Sequence, residues 1–130
     1  MRPNPAVVGL VTADMNRALA FYRDLGLPIP DGAEAAPHVD VTFDNGLRMS
    51  WDTQATITAF DPNWTPATGG HRVALCFACD DAADVDATYE RMTAAGHHGH
   101  RAPWDAVWRQ RYAVLHDPDG NAVELFAELG

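Results

Sequence analysis

Apolar and polar positions alternate along this chain in two rhythms, one of strands and one of helices. Residues 7–12, VVGLVT, are an apolar run of strand length. Asp14 then offers a side-chain cap. Met15, Ala18, Leu19, Tyr22 and Leu25 recur at helical spacing until Gly26 stops the pattern. A short extended link at 27–30, held by two prolines, leads into a loop at 31–36. Residues 37–43 read as a strand, Asp44-Asn45-Gly46 as a turn, and 47–51 as the returning hairpin partner. Residues 52–60 allow a short helix, and 61–70, DPNWTPATGG, has the composition of a linker.

The same order then returns, offset by about 65 residues. Residues 72–78 form a strand pattern. Asp80 or Asp81 caps a second amphipathic helix, marked by Val85, Thr88, Tyr89, Met92 and Ala95 and closed by Gly96. A polar and aromatic stretch at 97–108 precedes a strand at 111–116, the tight turn Asp117-Pro118-Asp119-Gly120, and a last strand at 121–127. The pattern predicts an α+β chain of two βαβββ modules, about 1–64 and 65–130, with helices near 14–25 and 81–95. One such module is too small to bury a good core. The two together are expected to form one domain with a curved mixed sheet and a cleft.

Composition narrows the function. The chain has a net charge of −9 and no lysine, which excludes the clustered cations of a nucleic-acid surface. No run reaches the roughly 18–20 apolar residues of a membrane span. The start of the chain lacks the apolar stretch of a secretory signal, so a cytoplasmic location is expected. Cys76 and Cys79 stand in a strand pattern, where this spacing sends them to opposite faces. They read as ordinary thiols and not as a redox pair. There is no nucleophile elbow or glycine-rich phosphate loop, and Ser50, the one serine, has no evident base.

Two fragments, VTADMNRALAFYRDLGL and YAVLHDPDGNAVELFA, resemble the opening and closing motifs of the glyoxalase/bleomycin-resistance/dioxygenase (vicinal oxygen chelate) superfamily. Residues 36–53, 64–71 and 103–126 are more narrowly similar to its mitomycin-resistance branch and to the binders of quinoxaline peptide antibiotics such as thiocoraline. The resemblance implies a domain-swapped homodimer with clefts shared between chains. It also implies non-enzymatic sequestration of a planar aromatic antibiotic, giving self-resistance to a producer. The alternative is a metal-independent enzyme, or a carrier, acting on the same kind of molecule.

Enzymes of that superfamily commonly hold a divalent metal, and the matching positions here are poor in donors. They are Val7, the run Met49-Ser50-Trp51, and Arg72, with only Glu124 suited to ligation. His71 lies one residue from a ligand position, which in a strand means the opposite face. In the triplet His97, His98 and His100, the last two share a strand face, but no further donor is identifiable. The triplet therefore reads as a polar edge strand, and His116 as a solvent-facing residue before a turn. The expectation is no metal, no cofactor and no catalytic residue.

The chain carries four tryptophans. Trp51 and Trp64 read as packing residues, while Trp104 and Trp108 lie in a stretch too polar for core. The resemblance implies that Trp108 and His38 stack on the two faces of a flat ligand. Asp40, Asp52, Arg111 and Tyr112 are candidates to orient it, Phe43 and Met49 to wall it, and Trp104 to line the site. Asp40 and Asp52 also form a candidate carboxylate pair for acid–base work.

Overall fold

A computed structural model describes all 130 residues. The chain divides into two compact units, Met1–Ala67 and Thr68–Gly130. The first contains β1 (Val7–Thr12), α1 (Met15–Leu25), a 3-10 turn (Ala33–Ala35), β2 (His38–Thr42), β3 (Arg48–Thr53) and α2 (Gln54–Phe60). The second contains β4 (Ala74–Ala78), α3 (Ala82–Ala94), β5 (His98–Asp105), β6 (Gln110–His116) and β7 (Ala122–Glu128). The fold is α+β with two βαβββ-like modules. The first module is one strand short, because the chain enters α2 directly from β3. Thr53 caps α2 by accepting from the Thr56 amide.

Both long helices start and stop on local chemistry. Asp14 and Asp81 accept from the Arg17 and Asp84 amides, and Gly26 takes the left-handed conformation that closes α1. In the first unit β3 is central, parallel to β1 and antiparallel to β2. Met15, Ala18, Leu19, Phe21 and Tyr22 of α1 are buried, as are Val39, Val41, Met49 and Trp51 of the sheet. Tyr22 and Trp51 meet at 5.1 Å between ring centres.

In the second unit the strand order is β4-β7-β6-β5, with β4 parallel to β7 and the other pairs antiparallel. Ala113, Leu115, Val123, Leu125 and Ala127 turn one face of the sheet into core, with Val85 and Met92 of α3 also buried. Alternation then assigns Tyr112, Val114 and His116 of β6 to the other face, with Glu124 and Phe126 of β7. Cys76 of β4, paired with Glu124, joins them. No helix is long and apolar enough to cross a membrane.

Candidate metal centre

The feature that changes the functional picture lies at one end of the β5–β6 ladder. His98 is the cross-strand partner of His116, so the two side chains leave the same face. His100 lies in the register shift between Gly99 and Arg101, and its ring stacks on His116 at 4.2 Å and 18°. His98 stands 5.3 Å from His116 and 6.2 Å from His100, ring centre to ring centre. One donor atom from each of the three lies within 4.8 Å of the others.

The local backbone is built for this placement. Gly99, between the two β5 histidines, has no room for a side chain. A Cβ there would collide with the Tyr89 hydroxyl and stand 2.8 Å from Thr93 Cγ2 of α3. After His116, the Asp117 carboxylate accepts from the backbone amides of Asp119 and Asn121 and from the Asn121 side chain. That turn fixes the end of β6.

The three imidazoles suit a metal ion. His116 Nε2 is buried without a hydrogen-bond partner, a state that costs free energy unless something fills it. Burial, and then the neighbouring His100, His98 and His71, push the His116 imidazole below its ordinary range and favour the neutral, ligating form. Nitrogens sharing a zinc-sized ion stand about 3.4 Å apart, so an ion bound by the set would draw the three donors closer than their 4.8 Å limit. All-imidazole donors suit zinc, copper, iron or nickel and not magnesium or calcium.

This cluster overturns the expectation of a metal-free, purely sequestering protein, and with it the drug-binding and resistance assignment. The sequence pattern pointed to His98 and His100 but not to His116, because the third donor becomes visible only with the β5–β6 register. It also began the strand at Arg72 and judged the facing of His71 by strand alternation. The strand begins at Ala74, and His71 lies in the loop before it. The superfamily's usual ligand positions are not what the cluster uses. Glu124 instead accepts from the Tyr112 hydroxyl at 2.5 Å, with Cys76 Sγ at 3.7 Å.

The other candidates fall into separate groups. Trp104, Trp108, Tyr112 and Phe126 form an aromatic patch in the second unit, with successive ring centres 5.4–6.4 Å apart. Arg101 lies over Trp104 at 3.7 Å, and Trp108 donates from its indole to Gln110. Trp108 is 54% exposed. Arg111 is held by both oxygens of Asp86 and by Asp105, which ties β6 to α3. Met49 is buried in the first unit's core, and Phe43 sits half-buried at the β2–β3 turn.

His38, in the first unit, is gripped between two carboxylates. Its Nδ1 lies 2.5 Å from Asp52 and its Nε2 3.1 Å from Asp40. Asp40 and Asp52 therefore meet through this ring and address opposite nitrogens. The hydrogen bond to Asp52, then that to Asp40, holds the His38 imidazole above its ordinary pKa of 6.5. A folded value raised in this way adds stability that is complete below pH 6.5 and fades as pH rises through the folded value. The ring is half-exposed, so the contribution is small. Asp52→Asn is expected to lower the His38 titration midpoint, read by NMR of the imidazole protons. A wild-type midpoint at or below 6.5 would contradict the arrangement.

Among solved structures the chain is similar to a glyoxalase/bleomycin resistance protein/dioxygenase family enzyme from Burkholderia phytofirmans PsJN. The identity is 20% and the TM-score 0.84, over 98% of this chain and 100% of that one. A glyoxalase/bleomycin resistance protein/dioxygenase from Nocardioides is 24% identical, with TM-score 0.80 over 99% of this chain and 85% of that one. A protein of unknown function from Agrobacterium tumefaciens str. C58 is 26% identical, with TM-score 0.73 over 99% and 97%. These likenesses are likenesses of fold. The comparison with curated proteins gave no significant match. The family model described as the Glyoxalase/Bleomycin resistance protein/Dioxygenase superfamily matches residues 4–125, and the chain belongs to that superfamily.

Proposed function

We propose that the chain is a metal-dependent enzyme acting on a small organic molecule, with His98, His100 and His116 as its metal donors. The observations that carry this reading are that one donor atom from each of three imidazoles lies within 4.8 Å of the others, and that His116 Nε2 is buried without a partner. A cation held there supplies Lewis-acid polarisation of a substrate oxygen or activation of water. Three protein donors leave room for such a ligand, as catalytic sites require.

The rest of the same sheet face supplies the chain's own part. Burial and the hydrogen bond to Glu124 hold the Tyr112 phenol protonated, well above its ordinary range, so it serves as a donor. Glu124, oriented by Tyr112, is the carboxylate placed to take up a substrate proton. Tyr112 lies four residues from His116 on β6, about 13 Å along the strand. A substrate with a polar head at the histidines and a flat body reaching Trp104, Trp108, Tyr112 and Phe126 fits this spacing. His38, Asp40, Asp52 and Phe43 are proposed as a separate recognition group within the first unit.

A homodimer, implied by the resemblance, belongs to this reading. So does a cytoplasmic location, which suits the free thiols Cys76 and Cys79. Native mass spectrometry of tag-free protein, purified without chelator, reads both metal content and assembly. The expected species is a dimer with about one zinc, nickel, iron or copper ion per chain. A chain that takes up no such ion even when titrated with it contradicts the metal reading, and a monomer alone contradicts the dimer.

A further inference from the structure

We propose that His71, carried by the loop that enters β4, is a fourth imidazole donor of the same centre. The proposal rests on the metal-centre reading and names a ligand it does not contain. His71 faces His116 edge-on, with ring centres 6.4 Å apart at 66°. An imidazole centre stands about 3.2 Å from an ion bound at about 2.1 Å. Two rings on one ion are therefore about 4.5 Å apart at a right angle and about 6.4 Å apart straight across. The three sheet-borne rings span 4.2–6.2 Å, and His71, outside the set whose donor atoms lie within 4.8 Å of one another, stands from His116 at the straight-across distance of 6.4 Å.

The loop gives His71 freedom to close that last distance. The residue is exposed and follows Gly69 and Gly70, around which a Cβ would meet nothing within 4 Å. Residues 68–73 are all exposed, so a movement of this segment toward the cluster disturbs no packed side chain. Its imidazole sits against His116 and has no carboxylate partner.

A fourth protein donor also constrains the ion. A tetrahedral zinc site with four protein ligands is closed, as structural sites are. A catalytic centre of this composition therefore calls for an ion that takes a fifth or sixth ligand, as nickel and iron do and as zinc does on expanding to five-coordinate. The loop donor has a mechanical consequence as well, since binding the ion ties residues 68–73 to the end of the β5–β6 ladder.

The test uses the tag-free full chain and Ni²⁺, comparing wild type with His71→Ala. Calorimetric titration reads affinity, and hydrogen–deuterium exchange reads protection of residues 68–73. The expected result is a loss in affinity of at least about tenfold, the lower bound for losing even an outer-shell partner. Protection of the loop by Ni²⁺ should disappear with it. Unchanged affinity and unchanged loop protection in His71→Ala overturn the fourth donor while the three-histidine centre stands. Absence of Ni²⁺ binding by the wild type, together with absence of zinc, iron or copper binding, overturns the centre itself.

Discussion

His116→Ala is expected to abolish stoichiometric transition-metal binding and the metal-dependent activity with it. Of the three sheet-borne donors, His116 touches both of the others and carries the buried nitrogen without a partner. Removing it leaves His98 and His100 as the sheet-borne donors, with ring centres 6.2 Å apart. The loss in affinity should exceed the roughly 100-fold upper range seen for outer-shell partners. The fold should survive, because the β6 core residues Ala113 and Leu115 lie on the opposite face. Metal titration beside a thermal melt separates the effects. Retained tight binding with a normal melt removes His116 from the centre and takes the metal reading with it.

Trp51→Ala should be the most damaging single change to stability. Trp51 is 1% exposed, sits on the central strand of its sheet and packs on Tyr22. Truncating a buried tryptophan costs about 3–5 kcal/mol. Small domains have about 5–15 kcal/mol in total, so the loss is a large share. Trp108→Ala makes the contrast. That side chain is 54% exposed, and its removal should change stability by about 0.5 kcal/mol or less. Urea unfolding with both variants reads the difference as a shift in midpoint at constant slope. A Trp51→Ala midpoint close to wild type would mean that the first unit's core is assembled differently.

The two tryptophans also mark what the sequence can and cannot say. The helices were legible because their ends are written in local chemistry, in Asp14, Gly26 and Asp81. The hairpin at Asn45-Gly46 was legible for the same reason. By contrast, β5 was hard to see, because its register shifts break the alternation on which strand recognition depends. The short helix allowed at 52–60 is present as α2, although residues 54–60 carry both strand-like and helix-like apolar spacing, because the Thr53 cap decides between them. His116 had no local signal at all. Its partners lie sixteen and eighteen residues earlier in the chain, and only strand pairing joins them. His38, Asp40 and Asp52 were named from sequence, but their mutual grip depends on the β2–β3 register.

The place of the histidines in the strand order bears on how such a site can arise and be lost. β5 is the outermost strand of its sheet, hydrogen-bonded along one side only. Two of the donors stand on this margin, and the third on the strand beside it. Substitutions at a sheet margin, on the face away from the helix, leave the packed interior almost untouched. Donors there can be exchanged one residue at a time without rebuilding the scaffold. A chain that has given up one metal position can thus acquire another on the same frame, at the modest stability cost of surface changes. Fold alone is then a poor guide to whether a given relative is a catalyst, and the margin of this sheet is the place to look.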